Sequence, residues 1–354
     1  MKRIDIKSLT REELRQELLT KGEKAFRADQ LYQWMHVKLA GGFSEMSNLS
    51  KNLREQLEAE YEYVTLEIVE VQRSKLDGTC KYLFRLPDGH VIESVLMRYH
   101  HGNSVCISSQ VGCRMGCRFC ASTIGGLERN LSPSEMLEQI YRIQMDTKER
   151  VSNIVVMGTG EPLDNYENLL KFIRLVSDEN GLHISQRNIT VSTCGLEPRI
   201  RDLAEEKLSI TLALSLHAAT QEKRRRLMPV SNKYELSKVL DACACYFQKT
   251  GRRITFEYSL VGGVNDSPED ALQLAALAKP MHSHVNLIPV NPVTEREFVQ
   301  PDGKVIENFK NQLEKYGTNV TIRREMGRDI DGACGQLRKR YLNDTDAGKE
   351  EDAC

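Results

Sequence analysis

Apolar residues recur at helical spacing from residue 1 to about 62, and then give way to alternation. Thr10-x-x-Glu13 is a capping box ahead of Leu14, Leu18 and Leu19, and Gly22 supplies the stop. Phe26, Leu31, Trp34 and Met35 mark a second apolar stripe, and Ser50 can cap a third helix carrying Leu53 and Leu57. Residues 63 to 98 switch to strand patterns, Val64 to Val69, Lys81 to Phe84 and Val91 to Val95, punctuated by Asp77-Gly78 and Pro87-Asp88-Gly89. From residue 104 short apolar runs alternate with helical patterns. The strands fall at Val105 to Ser108, Asn153 to Met157, Ile189 to Ser192, Ile210 to Leu216, Ile254 to Leu260 and Val285 to Val290. Ser132 as cap, Pro133 at the first helical position and Glu135 at the third announce the first helix between them.

Six such units predict a parallel α/β sheet. Periodicity alone fits both a Rossmann-like sheet and a TIM-type barrel, closed or partial. No G-x-G-x-x-G follows the first strand, which weakens the dinucleotide-binding version. Four parts follow: a helical module over 1–62, a β-meander over 63–103, the α/β core over 104–325 and a C-terminal loop and tail over 326–354.

The chain has 354 residues, 40% hydrophobic and 28% charged, which is enough to bury a proper core. Its start interleaves charge with apolar residues, and no stretch of about 18 apolar residues occurs, so a cytoplasmic protein without a membrane partner is expected. With a net charge of −1 there is no global pull towards nucleic acid, and RNA contact would need local patches. Lys223-Arg224-Arg225-Arg226, Arg323-Arg324 and Arg338-Lys339-Arg340 are the candidates, each also readable as a solvated face. A monomer is the default expectation.

Ten cysteines, unevenly spaced, point to metal or redox chemistry rather than a disulfide scaffold. Three of them form Cys113-x-x-x-Cys117-x-x-Cys120 in a loop rich in glycine and arginine. Three thiolates leave one iron of a 4Fe-4S cluster without a protein ligand, so that iron can take a small molecule. Zinc is the alternative, and it would need Cys106, His100 or His101 as its fourth ligand. Cys80, Cys194, Cys243, Cys245 and Cys354 match no motif, and Cys243 and Cys245 would point apart on a helix.

Other polar residues gather after predicted strands. Gly160-Glu161 follows the second, Ser192 ends the third, Ser215-Leu216-His217 ends the fourth and Asn291 follows the sixth. Glycine admits close backbone approach, and a carboxylate beside it can accept from an ammonium group. Each residue alone also reads as a turn or a cap; together they sit where such sheets bind ligands. Near the end, Asp331-Gly332-Ala333-Cys334-Gly335-Gln336 offers a thiol between glycines, with Cys106 as a natural partner.

The three-cysteine spacing resembles the signature of the radical S-adenosylmethionine (SAM) superfamily. More narrowly, Phe26-Arg27-Ala28-Asp29-Gln30, Cys106 to Cys113, Gly160-Glu161-Pro162-Leu163, Ser215-Leu216-His217, Asn286-Leu287-Ile288-Pro289 and Asp331 to Leu337 together resemble the RlmN/Cfr family of RNA adenine methyltransferases, over nearly the whole chain. The resemblance implies a partial (βα)6 TIM-type barrel, a 4Fe-4S cluster on Cys113, Cys117 and Cys120, and two SAM molecules per turnover. It implies SAM contacts from Gly160, Glu161, Ser192, Ser215, Leu216, His217 and Asn291, with Glu161 on the amino group. Cys334 would carry a methyl group, Glu93 would accept a proton, and Cys106 would resolve a protein–RNA adduct by forming a disulfide with Cys334.

The implied partners are 23S rRNA, tRNA and a low-potential electron donor of the flavodoxin or ferredoxin kind. Pro162, and Pro289-Val290-Asn291-Pro292, look more like the RlmN type, which methylates adenine C2, than the Cfr type, which methylates C8. Thr159 stands where methionine is frequent, a departure from that pattern. A zinc-stabilised RNA-binding protein without catalysis is the reading from another class.

Overall fold

A computed structural model describes residues 3–290, 297–331 and 335–342. Asn291 and Cys334 lie outside the described residues.

Three helices open the chain, α1 (Arg11–Thr20), α2 (Phe26–His36) and α3 (Lys51–Glu60). Both reciprocal bonds of the Thr10–Glu13 box form, and the chain reverses at Gly22, whose φ of +80° suits glycine. Leu53 N–H donates to Ser50 Oγ at 3.2 Å to start α3. Phe26, expected in the apolar stripe of α2, is exposed; Leu31, Tyr32, Met35 and His36 make the buried face instead. The module is fixed to the core by a buried ion pair, Lys7 Nζ to Glu138 Oε1 at 2.6 Å. The other oxygen of Glu138 accepts from Leu66 N–H and Arg142 Nε.

Ten strands form one sheet in strict chain order: β1 (Glu67–Arg73), β2 (Cys80–Arg85), β3 (Val91–Tyr99), β4 (Gly102–Cys106), β5 (Val151–Val156), β6 (Ile189–Thr193), β7 (Thr211–Ser215), β8 (Thr255–Leu260), β9 (His284–Pro289) and β10 (Asn319–Ile322). β1 to β4 pair antiparallel, and β4 to β10 pair parallel. The parallel strands read as short apolar runs because most of their side chains are covered, near-continuously along β7 and β8 and in alternation with half-buried positions along β6 and β9. Their cover is α4 (Pro133–Thr147), α5 (Tyr166–Ser177), α6 (Glu197–Glu205), α7 (Gln221–Leu227), α8 (Leu236–Thr250), α9 (Pro268–Ala278) and α10 (Gly303–Lys315). α4 starts on the predicted cap, with Ser132 and Glu135 bonded reciprocally and Pro133 in the first turn.

Two features depart from the expected pattern. The first parallel strand is Gly102–Cys106, ending before Ser108, because Ser108 N–H turns to the Gln139 side chain of α4. A seventh parallel strand, β10, extends the expected six. Among the described residues no ladder joins β10 to β4, so the parallel strands make a partial barrel with an open seam.

Candidate active site

The C-terminal ends of β4 to β10 face one cavity of about 720 Å³. Parallel strands present their C-terminal ends together, so residues far apart in sequence converge there. Cys106, Cys113, Cys117, Cys120, Gly160, Glu161, Ser192, Ser215 and His217 all line it.

The cysteine loop runs between the halves of a short ribbon, Gln110–Gly112 paired with Leu127–Asn130. Gly112 has φ +76°, and a Cβ there would stand 2.0 Å from the Gly126 carbonyl oxygen, so only glycine fits. Cys113 N–H donates to Gly126 O, Arg118 N–H to Leu227 O, and Thr123 Oγ1 to the carbonyls of Cys117 and Cys120. The loop is therefore held by its backbone, leaving its thiols to the cavity. Burial, reinforced by Glu161 and Cys120, pushes the Cys113 thiol up to about 12, and burial pushes Cys117 up as well, with the other two thiols adding to the effect. Such thiols ionise only against a cation that they bind.

Among the described residues no group of three His, Cys, Asp or Glu side chains converges on a single point. Three thiols ringing one space suit a cluster of several irons, which takes one thiolate per iron. His100 and His101 occupy the turn between β3 and β4, at the end of β4 opposite Cys106, and are thus removed from the cavity as zinc ligands.

Glu161 is 3% exposed and follows β5. Its two oxygens accept from Leu163 N–H at 3.1 Å and Cys194 N–H at 2.7 Å. Burial raises its pKa, and those hydrogen bonds oppose the rise. Gly160 beside it has φ +113°, and an added Cβ would lie 2.6 Å from Gln110 Cβ. Ser192 Oγ and Ser215 Oγ lie 3.1 Å apart. His217 Nδ1 accepts from Ser259 N–H at 2.9 Å, which leaves the proton on Nε2, and burial, with Arg224 adding, holds the ring neutral down to about 3. Leu216 directs its side chain into the core and offers backbone only: its N–H donates to Glu257 O and its carbonyl accepts from Arg224. Thr159 packs by its hydroxyl near Ser122, 3.5 Å away.

Glu93 lies on β3 beneath the described part of the C-terminal segment. Its carboxylate accepts from Gly335 N–H and Arg338 N–H, each at 2.6 Å, and Lys81 Nζ stands 3.3 Å away. Residues 336–342 are helical, and Leu337 packs on Leu83 and Val91. Gly335, with φ +82°, lies against the residues after Cys120: an added Cβ would be 3.0 Å from Ala121 Cβ and 3.2 Å from Ser122 N.

The basic runs fare differently. Arg224 is buried and Lys223 is bonded to Asp270, so that run is no continuous RNA patch. Arg338 donates to Val91 O, and Arg340 pairs with Glu70 and Asp331. Arg323 and Arg324 are exposed on the cavity rim. Sequence reasoning missed Cys194, which lines the cavity and supports Glu161; its place just after β6, before a glycine at φ +99°, was the available signal.

A partial barrel with a three-thiol loop and a buried glutamate at its strand ends defines a radical SAM enzyme, and the Radical SAM superfamily model matches residues 107–275. Residues 4–62 match the N-terminal domain of ribosomal RNA large subunit methyltransferases. A protein named "probable dual-specificity RNA methyltransferase RlmN" from Lachnospira eligens is 65% identical over 97% of this chain and 98% of its own length. Another of that name, from Lachnoclostridium phytofermentans, is 63% identical over 97% of this chain and 96% of its own. The crystal structure of a radical SAM methyltransferase from Sphaerobacter thermophilus superposes with a TM-score of 0.90 at 41% identity, covering 94% of this chain and 98% of that one. The chain belongs to the RlmN family of radical SAM RNA methyltransferases. Membership implies a 4Fe-4S cluster, SAM and an RNA substrate. Among the described residues no helix is long and apolar enough to cross a membrane.

Proposed function

We propose that this enzyme methylates C2 of an adenine in 23S rRNA and of the adenine beside the anticodon in tRNA, through an S-methyl group on Cys334 and a transient protein–RNA adduct. The observation that carries the reading is the seat of Gly335, the residue after Cys334. It is bonded to Glu93 and packed against Ala121 and Ser122, next to Cys120, in a wall that also holds Cys106.

In this reading Cys113, Cys117 and Cys120 hold the cluster. Glu161 takes the SAM ammonium group, Gly160, Ser192, Ser215, His217 and Asn291 hold the rest of SAM, and Leu216, whose backbone is bonded within the protein, supports this wall from behind. When bound, cluster and SAM supply a 5′-deoxyadenosyl radical that can remove hydrogen from an S-methyl group. Cys334 takes its methyl from a first SAM before a second is cleaved, so each turnover consumes two. Once the methylene radical carbon had joined adenine C2, the adduct would have to lose one electron, for which the oxidised cluster would be the acceptor, and Glu93 would take the ring proton. The Cys106 thiolate then attacks the Cys334 sulfur; an S–S bond forms, the S–C bond breaks, and the carbon keeps the electron pair and gains a proton to become methyl. Two backbone N–H groups and Lys81 occupy three of the four acceptor sites of the Glu93 carboxylate, which leaves one for the proton.

The N-terminal module (1–62), the meander (63–103), the barrel (104–325) and the C-terminal segment (326–354) divide the work between RNA binding and chemistry. Arg323 and Arg324 on the rim suit phosphates, and the adenine enters unstacked. A low-potential flavodoxin- or ferredoxin-like donor supplies electrons. The test is to digest RNA methylated by the reconstituted enzyme and compare the nucleoside with standards. 2-Methyladenosine supports the proposal, and 8-methyladenosine refutes it in favour of C8 chemistry.

A further inference from the structure

We propose that Arg224 is a positioning residue whose fixed positive charge makes one-electron reduction of the cluster easier. The inference rests on the reading that Cys113, Cys117 and Cys120 hold that cluster.

Arg224, on α7, is 0% exposed and heads the largest fully buried side chains. Each of its nitrogens has a neutral acceptor: Nε donates to Leu216 O at 3.2 Å, Nη1 to Ser231 Oγ at 2.9 Å and Nη2 to Cys194 O at 2.6 Å. Among the described residues no carboxylate pairs with it. A guanidinium does not lose its proton in a protein, and a buried charge without a counter-charge is strongly unfavourable. Its ionisable neighbours are Cys194, whose carbonyl it binds, Cys117 and Cys243, thiols that burial keeps protonated, and His217, which burial keeps neutral, so none of them supplies a counter-charge until a metal takes the Cys117 proton. Of these only Cys117 belongs to the cluster loop, and the anionic assembly that Cys113, Cys117 and Cys120 would hold is the natural counter-charge for Arg224.

Position and charge act together. The carbonyl that Nη2 binds belongs to Cys194, whose N–H supports Glu161, and α7 itself receives the cysteine loop through Arg118 N–H on Leu227 O at 2.9 Å. One side chain thus ties the ends of β6 and β7 to the helix on which the loop rests. The iron–sulfur core with its three thiolates carries net negative charge, and the electron delivered by a low-potential donor makes it more negative without breaking or forming a bond. A permanent cation nearby favours that more negative state, because hydrogen bonding and burial around such clusters set their potentials. Lysine at this position would keep the charge and lose the three-way clamp, whereas glutamine would keep part of the clamp and lose the charge.

The test is an EPR-monitored redox titration of the reconstituted full-length enzyme, wild type against Arg224→Gln, Arg224→Lys and Cys243→Asp. Cys243 is 0% exposed on α8, and aspartate there neutralises Arg224 without altering it. The expected result is at least a tenfold less favourable one-electron reduction in Arg224→Gln and in Cys243→Asp, which is about 59 mV for such a couple, with Arg224→Lys close to wild type. Should Arg224→Gln fail to fold, Cys243→Asp against wild type decides alone. Iron-loaded Cys243→Asp protein that reduces at the wild-type potential overturns the proposal, as does an equal shift in the lysine and glutamine variants, which would mark packing rather than charge. Failure of the underlying cluster reading looks different: wild-type protein then binds no iron and sulfide on anaerobic reconstitution.

Discussion

Replacing Glu93 by glutamine separates holding from catalysis in one residue. The carboxylate accepts two backbone N–H groups, from Gly335 and Arg338, each at 2.6 Å, beside the fully buried Lys81. An amide has one oxygen, so Glu93→Gln keeps one of these bonds and sets its NH2 against the other donor. A hydrogen bond to a charged group contributes about 1.5–3 kcal/mol, and the segment's other ties, Arg338 Nε on Val91 O, the Arg340 pairs with Glu70 and Asp331 and the packing of Leu337, are untouched by the substitution. Local opening of residues 335–342 should therefore become about ten- to a hundredfold more populated. Hydrogen exchange of the peptide spanning 335–342 should accelerate by that factor, while amides of β5 to β8 stay protected. During turnover the same variant should accumulate covalent RNA–protein adduct on denaturing gels, because the ring proton has no acceptor. Unchanged exchange at 335–342 would refute the capping argument, and normal methylation without adduct would refute the role as base.

Gly160→Ala forces a side chain into φ +113° and places its Cβ 2.6 Å from Gln110, a strain of order 1–3 kcal/mol beside Glu161; equilibrium dialysis should show SAM affinity falling at least tenfold, and wild-type affinity would exclude this loop as the SAM site. Cys106→Ala should leave a covalent RNA adduct, or a stable added methyl or methylene on Cys334, visible by mass analysis; release of methylated RNA at the wild-type rate would rule Cys106 out as the resolving thiol. Burial holds His36 and His217 neutral to about pH 3, against about 6.5 unfolded, so below pH 6.5 only the unfolded chain gains their protons. That stability is full above pH 6.5 and declines as pH falls towards 3, by about 2 kcal/mol per histidine at pH 5. Denaturant midpoints at pH 7 and pH 5 should show His36→Gln losing about 2 kcal/mol less than wild type, and equal losses would contradict the assignment. Arg323→Ala and Arg324→Ala should each flatten the salt dependence of RNA binding by roughly one unit of log–log slope; a slope unaltered in the double variant would remove the rim from the RNA interface.

The helix starts were legible because caps are local: Thr10, Ser50 and Ser132 bond within three residues of themselves, and no tertiary contact is needed to see it. The cysteine loop was legible for the same reason, since its chemistry is written in spacing. β10 escaped notice because four residues with one buried, Val320, carry no periodic signal until β9 supplies an edge. Arg224 was misread because a run of four basic residues looks like a solvated face, and only the packing of α7 turns one member inward. Cys194 looked incidental for a related reason: its contribution to Glu161 is a backbone N–H, which any residue type could supply.

The strict chain order of the sheet has a consequence for how the molecule is assembled. Each strand finds its neighbour in the stretch just made, so the platform can grow from one edge to the other with short loop closures. The C-terminal segment departs from this pattern, with Gly335 reaching back 242 positions to Glu93. The platform can thus form before residues 335–342 dock on Glu93, and in the proposed reading the chemistry waits on that long-range contact.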